Sequence, residues 1–152
     1  MRRTKAQRLI LAAKGWLGTP YLHQASAKGA GCDCLGLVRG VWREVHGDEP
    51  APVPPYTPDW SEPQGEERLW AEAARLLRPG KGKPGDLLLF RMREGGVAKH
   101  LGILIAPDAF IHSMSGHGVI ESPLSAPWAA RIVARFDLAH GPRRQRKPTE
   151  TR

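Results

Sequence analysis

The chain has 152 residues, of which 41% are hydrophobic, and a formal net charge of +8 at pH 7. This length and composition fit one compact domain with a modest core, and they leave little room for a second domain. The positive charge favours polyanionic surroundings such as nucleic acid, anionic lipid or a carboxylate-rich cell wall. Specific nucleic-acid binding is disfavoured, because the few aromatic residues do not alternate with basic ones and no helix-turn-helix, zinc-finger or RNA-recognition signature is present.

The first residues combine a basic segment with a short apolar run, as a signal peptide would. The apolar run from Leu9 to Ala13 covers only about five residues before Lys14 interrupts it, so we interpret the segment as a helix. No run of about eighteen apolar residues occurs anywhere in the chain, so we predict no membrane span. The apolar residues of this first helix recur at helical spacing: Ala6, Leu9, Ile10, Ala13 and Leu17.

The most informative segment is GCDCLGLV at residues 31–38, where a cysteine stands at the start of a predicted apolar helix. Asp33 is a favourable N-cap residue, and apolar residues follow at three- and four-residue spacing until Gly47. Because the start of a helix favours negative charge, we expect the Cys34 thiol to ionise more easily than a free cysteine. The alternative is that Cys34 is a small buried hydrophobe, and these residues alone leave the two interpretations nearly even.

Two histidines further along the chain favour a catalytic role for the cysteine. His100 lies in the segment KHLGI and His112 in the segment FIHS, both typical of β-strands. A cysteine followed at a distance by histidines is the arrangement expected of a Cys/His nucleophile pair. Alternation places His112 on the same strand face as Phe110 and Met114, so a buried core histidine is the other interpretation.

The two cysteines also allow other chemistry, which we consider less favourable. With one residue between them, Cys32 and Cys34 would need a strained backbone to form a disulfide. Zinc requires more sulfur and imidazole ligands at better spacing than the chain offers, so we predict no metal and no cofactor. Cys32 precedes the helix cap and lies outside the best position of the helix dipole. We therefore favour Cys34 as the nucleophile.

The rest of the chain is predicted to contain a proline-rich loop, a helix and several strands. In the loop, at residues 48–64, the aromatic residues Tyr56 and Trp60 favour a cleft wall, a docking surface or a cover whose Trp60 fills the core. Helices followed by strands argue for an α+β fold with an antiparallel sheet. The predicted helix spans 66–78, and the predicted strands span 86–92, 100–105, 109–114, 118–121 and 131–136.

Several smaller predictions concern the loops and the end of the chain. We interpret residues 23–31 as a flexible approach loop, since they are rich in Ala, Gly and Ser. His117 is expected in a turn, whereas His23, His46 and His140 are expected to be solvated. The domain is predicted to span residues 1–140, followed by a basic, flexible tail at 141–152.

Four segments resemble, in order, the signatures of the NlpC-type cell-wall cysteine peptidases. They are GTPY at 18–21, DCLGLV at 33–38, PGDLLLF at 84–90 and HLGI at 100–103. The resemblance runs from about Ala6 to Phe136 and implies a papain-like fold, with N-terminal helices packed on a C-terminal antiparallel sheet. It also implies cleavage of the peptide stems of bacterial peptidoglycan, often at the γ-D-glutamyl–diaminopimelate bond. Leu35 stands where most of the family has serine, so one hydroxyl contact is missing.

The resemblance assigns roles to individual residues. Cys34 corresponds to the nucleophile and His100 to its proton-transfer partner, while His112 corresponds to the group that orients His100. Tyr21 corresponds to a tyrosine beside the catalytic thiol. We group Tyr21 with Asp33 as predicted substrate-binding residues, although the main role expected of Asp33 is to cap the helix. The backbone N–H of Cys34 is the expected oxyanion donor.

Within the family, the segments CDCLGLVRGVWRE at 32–44 and PPY…DW at 54–60 resemble most closely the peptidases of phage tails and gene-transfer agents. This resemblance predicts a chain made in the cytoplasm without a signal peptide, carried on the tail of a phage-like particle, and acting on the recipient's periplasmic wall. Its predicted partners are peptidoglycan and tail-hub or baseplate proteins. The alternatives are a tail-hub or wall-binding subunit with little turnover, a basic nucleic-acid-binding module, which would need an ordered basic groove, and a free cytoplasmic enzyme.

Overall fold

The computed structural model describes residues 2–58, 60 and 64–144, which form four helices and seven strands. Five strands make one antiparallel sheet in the order β6-β5-β4-β3-β7, and β1 and β2 form a separate two-stranded ribbon. The predicted α+β fold is therefore confirmed. The elements are α1 (Lys5–Lys14), β1 (Ser26–Ala27), β2 (Gly31–Cys32), α2 (Cys34–His46), α3 (Arg68–Leu76), β3 (Asp86–Arg91), β4 (Ala98–Ala106), β5 (Ala109–Met114), β6 (Gly118–Pro123), α4 (Ala126–Ala130) and β7 (Ile132–Asp137).

Helix α1 begins with a capping box. The Thr4 side chain accepts from the backbone N–H of Gln7 at 3.0 Å, and the Gln7 side chain accepts from the backbone N–H of Thr4 at 2.8 Å. The helix ends at Lys14, so Leu17, which continues the helical spacing in the sequence, lies beyond it and is 43% exposed. The neighbouring Trp16, and not Leu17, is buried. None of the described helices is long and apolar enough to cross a membrane.

Helix α2 packs against α1, the sheet and the β1–β2 ribbon, and glycine makes this close packing possible. A Cβ atom at Gly40 would lie 2.1 Å from the Trp16 ring, and one at Gly36 would lie 1.8 Å from the Ala25 carbonyl oxygen. Neither distance is compatible with a larger residue without a shift of the structure. The first turn of α2, which carries Cys34, is thereby held close to the β1–β2 ribbon.

The register of the sheet brings the two central histidines to one face. Phe90 of β3 lies opposite His100 of β4, and Phe110 is two residues from His112 on β5. Paired residues and alternate residues share a face in an antiparallel sheet. The opposite face carries Leu87, Leu89, Leu101 and Ile103, which join α1 and α2 in the larger core cluster.

Several loop predictions need correction. Residues 23–31 contain the β1–β2 hairpin, not only a flexible loop, and α4 was absent from the predicted elements. His46 is not fully solvated, because its Nε2 lies 2.8 Å from the Leu138 carbonyl oxygen. At the start of the predicted tail, the backbone N–H of Arg143 donates to the Leu76 carbonyl at 2.7 Å. The flexibility predicted for residues 145–152 concerns a segment outside the described residues.

Candidate active site

Cys34 is the first residue of α2, and its side chain lies against strand β4. The thiol donates to the Lys99 carbonyl with an Sγ-to-oxygen distance of 3.8 Å, and the backbone N–H of Leu101 also faces the sulfur. The thiol therefore contacts the backbone on both sides of His100. Cys34 is 9% exposed and His100 is 8% exposed, so both groups stand at the edge of the solvent-accessible surface.

Beyond His100, a short polar chain runs across the sheet. The Nε2 atom of His100 lies 2.8 Å from the Nδ1 atom of His112. The other ring nitrogen of His112, Nε2, lies 2.8 Å from the hydroxyl oxygen of Ser122 on β6. His112 is fully buried, so these two groups provide the polar contacts of its ring. The sequence interpretation did not identify Ser122.

Aromatic rings enclose the two histidines. The ring centroid of Trp128 lies 5.9 Å from that of His100 and 5.1 Å from that of His112. Phe110 lies 4.4 Å from His112 on the same face of the sheet. Trp128 comes from α4, which the sequence interpretation missed although Ser125 is a typical N-cap type and Pro127 is typical of a first helical turn. The result is a largely apolar environment for both imidazoles.

Asp33 is confirmed as the N-cap of α2, and it also joins two loops. One carboxylate oxygen accepts from the backbone N–H of Gly36 at 2.7 Å. The other accepts from the backbone N–H of Gln24 at 2.8 Å and from the hydroxyl of Tyr56. Asp33 is 3% exposed. In this structure its carboxylate is engaged by groups of the protein itself.

The proline-rich loop reaches the site through Tyr56. The backbone carbonyl of Tyr56 contacts the His23 ring nitrogen at 3.1 Å and accepts from the Gln24 side chain at 2.6 Å. His23 is therefore a partner of this loop, and the prediction that it is simply solvated is wrong. The rings of Tyr56 and Trp60 are stacked 4.4 Å apart. The loop forms a wall beside the N-terminus of α2.

Leu35 has a structural role, at the position where most members of the family that the sequence resembles have serine. It lines an apolar cavity of about 820 Å³ between α2, α3 and the proline-rich loop, together with Val38 and Trp42. A serine hydroxyl there would face mostly hydrocarbon. The departure at Leu35 therefore fits its surroundings, and it leaves the Cys34 thiol in place.

Tyr21 lies close enough to Asp33 and Cys34 for their charges to act on its hydroxyl. It forms a β-bridge with Cys32, and burial together with the nearby Asp33 and Cys34 raises the pKa of its hydroxyl. The hydroxyl is therefore protonated at neutral pH and can donate a hydrogen bond. Cys32, in contrast, is fully buried, and its backbone carbonyl accepts from the Ser113 hydroxyl at 2.8 Å.

The protonation states of the site follow from burial. Burial, and after it the neighbouring Asp33 carboxylate, raises the pKa of the Cys34 thiol to about 12, although backbone N–H groups act to lower it. Burial lowers the pKa of His100 to about 3, with a contribution from His112, and lowers that of His112 to about 4. The expectation that Cys34 ionises more easily than a free cysteine is therefore wrong for this state. Thiol and imidazole are both neutral at pH 7.

These pKa values predict that the folded protein is most stable between pH 6.5 and pH 9. The ordinary pKa of histidine is 6.5, so below that pH both histidines bind a proton in the unfolded chain. In the folded chain, the buried His100 and His112 stay unprotonated until the pH approaches their lower pKa values. The free energy of unfolding then falls as pH falls towards their folded pKa values. Between pH 9 and pH 12 the unfolded chain loses the Cys34 proton that the folded chain keeps, so the free energy of unfolding falls as pH rises.

Urea unfolding at about pH 5, 7.5 and 9.5 measures this dependence. At pH 5 the expected loss is on the order of 2 kcal/mol for each histidine, because one pKa unit corresponds to about 1.4 kcal/mol. A His100→Gln variant is the control and should lose less stability between pH 7.5 and pH 5 than the unmodified protein. A free energy of unfolding that is constant or higher at pH 5 would contradict these protonation states.

The fold and the site together define a papain-like α+β protein, with a cysteine at a helix start and two histidines on neighbouring strands. Sequence comparison agrees, since residues 18–136 match the NlpC/P60 family. The chain therefore belongs to the NlpC/P60 family.

Two relatives of known name show the extent of the similarity. The chain is 31% identical over 127 residues to the murein DD-endopeptidase MepS/murein LD-carboxypeptidase of Escherichia coli K12, which covers 79% of this chain and 59% of that protein. It is 29% identical over 132 residues to the gamma-DL-glutamyl hydrolase of Bacillus subtilis 168, covering 85% and 29% respectively. The chain thus spans just over half of the first relative and less than a third of the second.

Solved structures share the fold at lower sequence identity. An NlpC/P60 family protein from Bacillus cereus ATCC 10987 has a TM-score of 0.62 at 24% identity, covering 88% of this chain and 40% of that one. The NlpC/p60 domain of the peptidoglycan hydrolase SagA has a TM-score of 0.59 at 24% identity, covering 86% and 97%. The near-complete coverage of the SagA domain shows that the described residues include the elements of an NlpC/P60 domain.

Proposed function

We propose that this protein is a cysteine peptidase that hydrolyses the peptide stems of bacterial peptidoglycan. The observation that carries the proposal is the position of the Cys34 thiol against the strand backbone next to His100, which is itself hydrogen-bonded to His112, in a chain of the NlpC/P60 family. The names of two relatives support the substrate class, because one is a murein endopeptidase and the other a gamma-DL-glutamyl hydrolase. No cofactor is needed for hydrolysis by a thiol and an imidazole.

In the proposed mechanism the neutral thiol and the neutral imidazole react together. The Nε2 atom of His100 is engaged by His112, which leaves Nδ1 to take the proton of Cys34 as the sulfur attacks the carbonyl carbon. The backbone N–H of Cys34, at the start of α2, is placed to donate to the developing oxyanion. His100 then gives its proton to the leaving amine. Water, deprotonated by His100, hydrolyses the thioester and restores the thiol.

In this mechanism His112 orients His100 and accepts a hydrogen bond from the imidazolium that forms. We expect His112→Asn to retain more activity than His112→Ala, because the amide oxygen of asparagine can still accept from the His100 ring. The ratio of kcat/KM for the two variants on a stem peptide measures this effect, with an expected difference of about 10-fold. Equal losses in both variants would mean that His112 only fills space.

For the bond cleaved, we propose the γ-D-glutamyl–diaminopimelate bond. The resemblance of the sequence motifs favours it, and the name of the Bacillus subtilis relative agrees. The name of the Escherichia coli relative gives the other candidate, a D,D cross-link between stems. A defined tetrapeptide stem and a cross-linked dimer, each incubated with the protein and analysed by mass spectrometry, distinguish the two bonds. Intact stems and intact cross-links after long incubation would contradict the proposed function.

We further propose that the protein is carried on the tail of a phage-like particle and opens the recipient's wall locally. The support is the resemblance of residues 32–44 and 54–60 to phage-tail and gene-transfer-agent peptidases. An enzyme held at its substrate on a particle gains from effective concentration. Tail-hub or baseplate proteins would then be its partners, and the wall formed by Tyr56 and Trp60 is a surface that such partners could contact.

Purified particles probed with an antibody against the chain test this delivery route. Co-sedimentation with tails supports carriage, whereas recovery in the soluble fraction alone overturns it. The second candidate function is a tail-hub or wall-binding subunit with little turnover. It would be favoured if the protein were found in particles and bound sacculi without releasing any fragment.

A further inference from the structure

We propose that Ser122 is a positioning residue of this site, whose hydroxyl accepts from Nε2–H of His112 and thereby stabilises the tautomer that keeps Nδ1 of His100 free to take a proton. The catalytic meaning of this inference rests on the proposed function. The tautomer of His112 can be observed without any substrate, so this inference and the proposed function can fail separately.

Among the described residues, His100 and Ser122 are the two hydrogen-bond partners of the His112 ring. His112 is 0% exposed, its Nδ1 lies 2.8 Å from Nε2 of His100, and its Nε2 lies 2.8 Å from the Ser122 hydroxyl oxygen. Trp128 covers the ring with centroids 5.1 Å apart. In the sheet, Ser122 pairs with Phe110, so its side chain reaches His112 diagonally across β5 and β6.

Only one hydrogen atom can lie between Nε2 of His100 and Nδ1 of His112, and this permits two arrangements of the neutral pair. In the first, His100 donates to His112, and the His112 proton is on Nε2 and is donated to Ser122. In the second, His112 donates to His100, the His100 proton is then on Nδ1, and the Ser122 hydroxyl donates to Nε2 of His112. Only the first arrangement leaves Nδ1 of His100 unprotonated. Only the first can therefore receive the thiol proton without rearrangement.

Ser122 supplies the acceptor that the first arrangement requires. Without it, the N–H at Nε2 of His112 would be buried with no partner, and a buried unpaired N–H is less tolerated than an unpaired acceptor. Loss of the hydroxyl therefore favours the second arrangement. The same acceptor is needed after proton transfer, since the His100 imidazolium donates to His112 and His112 must then keep its proton on Nε2.

Threonine and valine at position 122 make a matched test, because they have nearly the same shape and differ in the hydroxyl. Nitrogen-15 NMR of histidine-labelled protein reports which ring nitrogen of His112 carries the proton. We expect the Nε2–H tautomer in the unmodified protein and in Ser122→Thr, and the Nδ1–H tautomer as the major form in Ser122→Val. On a cleaved stem peptide, kcat should fall about 10-fold or more in Ser122→Val and less than about 3-fold in Ser122→Thr, with little change in KM.

Two further variants make the test independent of local packing. Ser122→Ala removes the hydroxyl without adding volume, and it should shift the tautomer in the same direction as Ser122→Val. Ser113→Ala removes another buried serine hydroxyl of the same sheet, which bonds to Cys32, and it should leave the His112 tautomer unchanged. An Nε2–H tautomer and full kcat in both Ser122→Val and Ser122→Ala would overturn the inference. Expected tautomer shifts in a protein with no turnover would support it while contradicting the proposed function.

Discussion

Replacement of Cys34 by alanine is expected to lower hydrolysis of stem peptides by about four orders of magnitude, while Cys32→Ala retains most of the activity. The reason is position: Cys34 begins α2 and its thiol meets the strand backbone beside His100, whereas Cys32 lies in β2 with 0% exposure. Removal of a nucleophile abolishes the covalent route and leaves only the contribution of binding and oxyanion stabilisation. The measurement is kcat/KM on a defined stem peptide.

The two cysteine variants control for each other, since each removes one buried sulfur and the two positions are only two residues apart. Thermal unfolding of each variant shows whether the loss is chemical or structural, and a Cys34→Ala protein that unfolds near the temperature of the unmodified protein gives the clean comparison. Equal losses of activity in two folded variants would mean that the pair of cysteines matters and that Cys34 is not the nucleophile. Retention of activity in Cys34→Ala would exclude a thiol mechanism based on this residue.

Replacement of His100 by alanine is expected to lower kcat about 1,000-fold, because the thiol then has no base and the leaving amine no acid. The thiol has a pKa of about 12, so it depends on a neighbouring group to take its proton at neutral pH. The rate of Cys34 alkylation by iodoacetamide should fall as well, which tests the pair without any peptidoglycan. His140→Ala is the matched control, since His140 is exposed and pairs with Asp137 at 2.9 Å.

His100→Ala also leaves a cavity beside Phe90 and Trp128, so a second variant is needed. His100→Gln retains most of the volume and lacks a base of suitable strength, and it should lose nearly as much activity as His100→Ala. An alkylation rate and a kcat that both match those of the His140→Ala control would show that His100 does not act on the thiol.

The sequence was sufficient for the parts of the fold that depend on local pattern. Asp33 followed by an apolar period of three and four predicts a capped helix, and α2 has that cap and that start. Alternation and turn residues predicted the five strands of the main sheet within about two residues of their observed bounds. These features are local, because caps and periodicity depend on residues within a few positions of each other.

The sequence was insufficient to predict the parts of the site that depend on packing between distant segments of the chain. Ser122 and Trp128 meet His112 only because β6 and α4 fold back onto β5, and neither residue is marked by a local pattern. The helix-start argument predicted an easily ionised thiol, but it did not include the burial of Cys34 or the approach of a loop that fixes Asp33 through Tyr56. Desolvation of the Cys34 thiol depends on the complete fold, and its effect on the thiol pKa is larger than that of the helix terminus.

The most direct test of the central claim is digestion of purified sacculi by the unmodified protein and by Cys34→Ala, followed by mass analysis of the soluble fragments. The proposed function predicts stem-derived fragments of defined mass with the unmodified protein, and none above background with Cys34→Ala at the same concentration. Fragments that appear equally with both proteins, or with neither, would contradict a Cys34-dependent peptidoglycan peptidase.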